Sequence, residues 1–137
     1  MHILILGAAG MIGRKLTERL SRDTRLGQRG ITRLTLHDVV SAQASAPPFP
    51  VDIMTGAFVG AEAAAKLVAA RPDVIFHLAA VVSGEAEADF EKGYRINLDG
   101  TRYLLEAIRA IGGGYRPRLV FTSSIAVYGA PFPSAIS

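Results

Sequence analysis

Cysteine is missing altogether from this 137-residue chain. Its absence excludes disulfides, thiolate metal sites and cysteine nucleophiles, and it fits a reducing, cytoplasmic setting. Histidine is scarce, and His2, His37 and His77 lack the spacing of metal ligands, so no metal is expected. Lysine occurs only at Lys15, Lys66 and Lys92. No apolar run approaches the roughly 20 residues of a membrane span. The longest, Val74 to Val82, is interrupted by His77. The N-terminus enters a strand at once, so no secretory signal is expected.

What is present describes one globular domain, 50% hydrophobic and 20% charged. The net charge is +3, and many of the basic residues lie between Arg14 and Arg33. Such a stripe can attract nucleic acid. Here Glu18 and Asp23 interrupt it and no aromatic residue lies within it. A solvated helix face is the expectation, with neither nucleic acid nor membrane as partner.

Strands and helices alternate along the chain. The pattern predicts a strand at 2–6, a helix near 11–22, a basic loop and a strand at about 32–37. The Ser-, Ala- and Pro-rich stretch Ser41 to Pro50 reads as a surface loop. A short strand around Val51, a helix near 58–70 and a strand at 74–78 follow. One long helix is expected from about 86 to 111, stopped by Gly112, Gly113 and Gly114. A last strand covers 119–123. This alternation implies an α/β, Rossmann-type doubly wound parallel sheet in the order 3-2-1-4-5, with helices on both faces, ending after its fifth strand. Ligands bind at the carboxyl ends of such strands, where the order reverses.

The first strand runs straight into GAAGMIG, with Gly7, Gly10 and Gly13 ahead of a helical pattern of Met11, Ile12, Leu16 and Leu20. Helix-terminal amides without intrahelical partners, together with the helix dipole, make an anion site suited to a pyrophosphate. A tight turn closing any βα unit is the plainer alternative. Asp38 ends the second strand, where a carboxylate can accept from adenosine ribose hydroxyls and repel a 2′-phosphate. Val39 and Val40 follow without an arginine, which favours NAD over NADP. Asp38 could equally be a turn aspartate, and Asp52 either an adenine contact or an ordinary loop residue. Asn97, at the edge of an apolar helix stripe, is either a site residue or an anchor for core backbone. Thr122, Ser123 and Ser124 close the last strand at the glycine-turn end. Their hydroxyls can reach a substrate oxygen or the nicotinamide ribose, although a hydroxyl alone is a poor acid or base at neutral pH.

Taken together, GAAGMIG, Asp38, His77-Leu78-Ala79-Ala80, NLDGTRYLL at 97–105 and TSSIAVYG at 122–129 resemble the NAD-dependent epimerase/dehydratase family, the extended short-chain dehydrogenases. The likeness spans essentially the whole chain. It implies that Gly7, Ala9, Gly10, Met11, Ile12 and Gly13 hold the NAD pyrophosphate and Asp38 the ribose. Asp52 and Ile53 would flank the adenine, with Leu78, Ala79, Ala80, Asn97, Thr122 and Ser123 along the dinucleotide. Ser124 matches the catalytic hydroxyl, and Ser83, Gly84 and Ser124 would touch a carbohydrate or sugar-acid substrate. The family's Tyr-x-x-x-Lys pair is not present: Tyr94, Tyr103, Tyr115 and Tyr128 all lack a lysine four residues on. The resemblance thus implies the N-terminal part of a homodimeric enzyme. Three readings stay open: a sugar-acid dehydrogenase, a nucleotide-sugar epimerase or dehydratase, and a non-catalytic dinucleotide-binding module.

Overall fold

The computed structural model describes residues 1–129. The APFP run at 130–133, which continues the last resembling block, lies outside them. Five parallel strands form the main sheet: β1 (His2–Leu6), β4 (Arg33–Asp38), β5 (Val51–Thr55), β6 (Val74–His77) and β7 (Arg118–Phe121). Their order is β5-β4-β1-β6-β7, the expected doubly wound arrangement with its reversal between β4 and β6 on either side of β1. The basic loop after the first helix contains a small antiparallel hairpin, β2 (Arg25–Leu26) and β3 (Arg29–Gly30), which the hydrophobic pattern did not reveal. Each strand of that hairpin is two residues long, too short to carry an alternation.

Alternate residues of β1 feed two cores. Ile3 and Ile5 pack with Leu20 of α1 (Met11–Asp23), Leu34 and Leu36. Leu4 and Leu6 pack on the other face with Leu67 and Val68 of α2 (Ala61–Val68), and with Leu104. Every residue of β1 is buried, which is why the strand reads as an unbroken apolar run.

The single helix expected over 86–111 is instead a broken path. It starts earlier, with α3 (Ser83–Ala88), and continues as α4 (Phe90–Gly93), a π-helical segment (Tyr94–Gly100) and α5 (Thr101–Ile111). Asp89 makes the first break, at φ −136°, and its side chain accepts from the Lys92 amide at 3.0 Å. Asp89 is thus an N-cap immediately ahead of the apolar stripe that begins at Phe90, a local contact that periodicity alone does not register. The wide turn at 94–100 is tied down by the side chains of Asn97 and Thr101.

His77, fully buried on β6, faces Thr101 with Nε2 2.9 Å from Oγ1. The Thr101 hydroxyl donates to Asn97 O at 2.9 Å, so it must accept from His77. The imidazole is therefore protonated on Nε2. Phe58 stands edge-on between His37 and His77, with ring centroids 6.1 and 5.5 Å away, and His77 meets Phe121 at 5.3 Å.

Burial pushes His2, His37 and His77 below the ordinary 6.5. The unfolded chain then takes up these protons first, and folding stability must fall as pH drops below 6.5 towards the folded-state values. Thermal denaturation should show a melting temperature that declines from about pH 7 to about pH 5. His37→Leu should flatten that decline. An equally steep curve in this variant would mean that His37 is not one of the groups responsible.

Candidate dinucleotide and substrate site

Gly7 and Ala8 donate to His37 O at 2.9 and 3.1 Å, and Gly10 donates to Gly7 O at 3.2 Å. Ala9 donates to Asp38 Oδ2 at 2.9 Å. Arg14 supplies the first intrahelical bond, to Gly10 O at 2.9 Å. Between them, the amides of Met11, Ile12 and Gly13 have no acceptor among the described residues, and no side chain caps the helix. These three donors stand together at the positive end of a 13-residue helix, an arrangement able to receive an anion.

The turn is compact because its glycines touch backbone. A Cβ on Gly7 would stand 2.7 Å from Ala79 N, and one on Gly13 would stand 2.7 Å from Ala8 Cα. Strand end, helix start and the 78–80 loop are thus packed main chain against main chain. Asp38 joins the turn to β4, since Oδ1 also lies 3.4 Å from the Val40 amide. With both oxygens held by amides, the carboxylate is fixed in place and keeps lone pairs for further donors.

Beside Asp38 lies a narrow slot of about 110 Å³, walled by Val39, Ala57, Phe58, Val59, Ala79 and Ile96. Asp52 and Ile53, expected to flank an adenine, are not there. In the β4–β5 register Asp52 stands opposite Thr35 and Ile53 opposite Leu36, whereas Thr55 stands opposite Asp38. Asp52 therefore sits about 10 Å back along the strand, at 3.3 Å per residue. It accepts from Arg33 Nε at 2.6 Å, and that contact holds its carboxyl below the usual range. Ala57, Phe58 and Val59, and not Asp52 and Ile53, wall the slot beside Asp38. Strand length was the missed signal. Gly56, whose amide donates to Asp38 O at 2.9 Å, is the first residue past a five-residue strand.

A second cavity, about 420 Å³, collects most of the remaining candidates. Ala79, Ala80, Ser83 and Asn97 line one side, and Thr122, Ser123 and Ser124 the other. Thr122 is tied to the end of β6, its amide and hydroxyl both 3.3 Å from His77 O. Gly84 lies one residue into α3, with open space around it. Leu78 packs partly into the core under α1, and its amide donates to Leu6 O at 2.9 Å.

The model of the NAD dependent epimerase/dehydratase family matches residues 3–136. The chain belongs to this family. It is 42% identical over 99% of its length to D-erythronate dehydrogenase of Cupriavidus necator, and it spans 42% of that protein. Among solved structures, a nucleoside-diphosphate-sugar epimerase of Agrobacterium tumefaciens matches at 61% identity and a TM-score of 0.92, covering 97% of this chain and 40% of that one. UDP-glucose 4-epimerase of Brucella ovis in complex with NAD matches at 28% identity and a TM-score of 0.74, covering 98% and 39%. The chain thus spans well under half the length of these relatives.

Within this family framework Asn97 is an anchor. Its Oδ1 accepts from the Val81 amide at 2.8 Å, and its Nδ2 donates to Val81 O at 2.9 Å. One side chain on the π-helical segment thereby fixes the backbone of the loop that borders both cavities. Asn97→Ala should cost about 0.5–1.5 kcal/mol in denaturant unfolding, the net worth of a hydrogen bond at a position where water can replace the lost partner. Amides of residues 79–82 should also exchange faster with solvent. Unchanged exchange in the variant would show that the clamp does not hold the loop.

Proposed function

We propose that the chain is the dinucleotide-binding part of an NAD-dependent dehydrogenase that oxidises a secondary alcohol of a small sugar acid such as D-erythronate. The observation that carries this reading is the carboxylate of Asp38, clamped to the glycine turn beside three unpartnered helix-terminal amides. Met11, Ile12 and Gly13 would hold the pyrophosphate through those amides. Asp38 would accept from the adenosine ribose hydroxyls, and the apolar slot at 57–59 would receive the base. Bound NAD would supply the hydride acceptor.

Ser124, in the cavity with Ser83 and Asn97, would donate a hydrogen bond to the reacting oxygen and orient it. Ser124 does not take the proton, because a serine hydroxyl is a poor base at neutral pH. Nor does any tyrosine among the described residues suit that task. Tyr115 is pushed up to about 12 by burial, and it borders a cavity with Met1 and Arg118, at the amino ends of the strands. Tyr94, Tyr103 and Tyr128 have no lysine four residues on. The family's Tyr-x-x-x-Lys pair, which this sequence does not contain, is the proton acceptor this reading calls for. Pairing of two subunits is assigned to the helical face where Phe90, Tyr94, Leu98 and Leu105 are exposed.

A second reading, a nucleotide-sugar epimerase, draws support from the 61% identity to the Agrobacterium protein so described. Net chemistry separates the two. A longer protein carrying this chain should form NADH stoichiometrically when given NAD and D-erythronate, and Ser124→Ala should reduce kcat. Conversion of a nucleotide sugar without net NADH would establish the second reading instead. Failure of the 137-residue chain to bind NAD in a calorimetric titration would remove both.

A further inference from the structure

At the amino ends of the strands, away from the dinucleotide turn, a cavity of about 580 Å³ opens beside β6 and β7. Arg29, Arg71, Arg116 and Arg118 border it, and Asp73 is the one carboxylate among its lining residues. Asp73 is already engaged. Its Oδ2 accepts from the His2 amide at 2.7 Å and its Oδ1 from Arg29 Nη2 at 3.1 Å. Those contacts hold its carboxyl below the usual range, so it stays ionised and offsets Arg29.

The other three arginines keep their charge available. Arg71 lies over the Tyr115 ring, 5.2 Å from the centroid, and the Tyr115 hydroxyl is fixed by donating to Pro72 O at 2.8 Å. Stacking orients a guanidinium and leaves its N–H donors free. Arg116 and Arg118 flank Pro117 on the approach to β7, and neither has an ion-pair partner among the described residues. Both line the cavity. Unpaired like charges around one concavity repel each other, and that repulsion is relieved when an anion enters.

We propose that this cavity binds a small polyanion of the di- or triphosphate class, held by Arg71, Arg116 and Arg118. Planar guanidinium forks match phosphate oxygens in pairs, which arginine does and lysine does not. The volume suits a ligand of that size, within the ordinary range for small-molecule sites. This site is separate from the dinucleotide turn, since the whole length of β1, about 15 Å, lies between the two ends of the sheet. It does not depend on the proposed reaction.

Calorimetric titration of the 137-residue chain with inorganic tripolyphosphate, with and without saturating NAD, tests it. The expected result is one ion per chain when NAD saturates the glycine turn; any additional ion bound only in the absence of NAD belongs to that turn. The Arg116→Gln/Arg118→Gln double variant should weaken binding at least tenfold and leave NAD affinity unchanged. Arg109→Gln, on α5 and outside the cavity, should leave both affinities unchanged. If the double variant melts early, Arg116→Gln alone, outside any strand, should weaken binding at least threefold. The proposal is overturned by absent binding at millimolar tripolyphosphate. It is overturned equally by loss of all tripolyphosphate binding under saturating NAD, which would place the only ion at the glycine turn, or by equal weakening in Arg109→Gln, which would indicate diffuse attraction.

Discussion

Gly7→Ala should remove a large part of the folding stability of this chain, about 2–5 kcal/mol in a urea titration, and NAD binding with it. Two costs add. Gly7 has φ +84°, where a side chain strains the backbone by roughly 1–2 kcal/mol. Its new methyl would also stand 2.7 Å from Ala79 N and 2.8 Å from Leu78 C, main-chain atoms that cannot rotate away. Overpacking of that kind costs typically about 1–3 kcal/mol. Other glycines separate the two effects. Gly114 has φ +73° with nothing within 4 Å, so Gly114→Ala should show the strain alone, near 1 kcal/mol. Gly13→Ala should show the steric part alone, against Ala8 Cα at 2.7 Å and the Gly7 carbonyl. If Gly7→Ala cost no more than Gly114→Ala, the glycine turn would not be packed against the 78–80 loop as described.

That packing also marks how far the sequence could be read. The parallel sheet, its order and the position of the glycine turn follow from strongly periodic segments, and β1 announced itself as a fully buried strand. Side chains that make local, non-periodic contacts left no such trace. Asp89 caps a helix just ahead of the apolar stripe, and Asn97 reaches back 16 residues to the Val81 backbone, so the expected single helix is broken. The Asp52 assignment failed for a different reason. A parallel register is fixed by hydrogen bonds to a neighbouring strand and not by the strand's own residues, and a strand read as shorter than Val51–Thr55 makes Asp52 look like a loop residue. The position of Asp38 was legible because it ends a strand whose alternation is clear. The basic cavity was not legible, since Arg29, Arg71 and Arg118 come from segments far apart in sequence.

Asp38 is also where cofactor choice can be measured. Asp38→Ala would strand the Ala9 amide as well as remove the charge, so Asp38→Asn is the cleaner variant, because its amide oxygen can still accept from Ala9. The ionised carboxylate is acceptor-only and suits ribose hydroxyls, and a hydrogen bond to a charged group is worth about 1.5–3 kcal/mol. Losing that charge should weaken NAD binding by roughly ten- to a hundredfold, at about 1.4 kcal/mol per factor of ten. NADP should respond in the opposite sense, because its 2′-phosphate no longer meets a fixed negative charge between β4 and the glycine turn. The ratio of the two dissociation constants should therefore move towards unity. Raising the salt concentration should narrow the preference of the wild type and leave that of Asp38→Asn almost unchanged, since only the former contains a repulsion to screen. A variant that kept the wild-type ratio, with weaker binding of both cofactors alike, would mean that Asp38 shapes the turn and does not read the ribose.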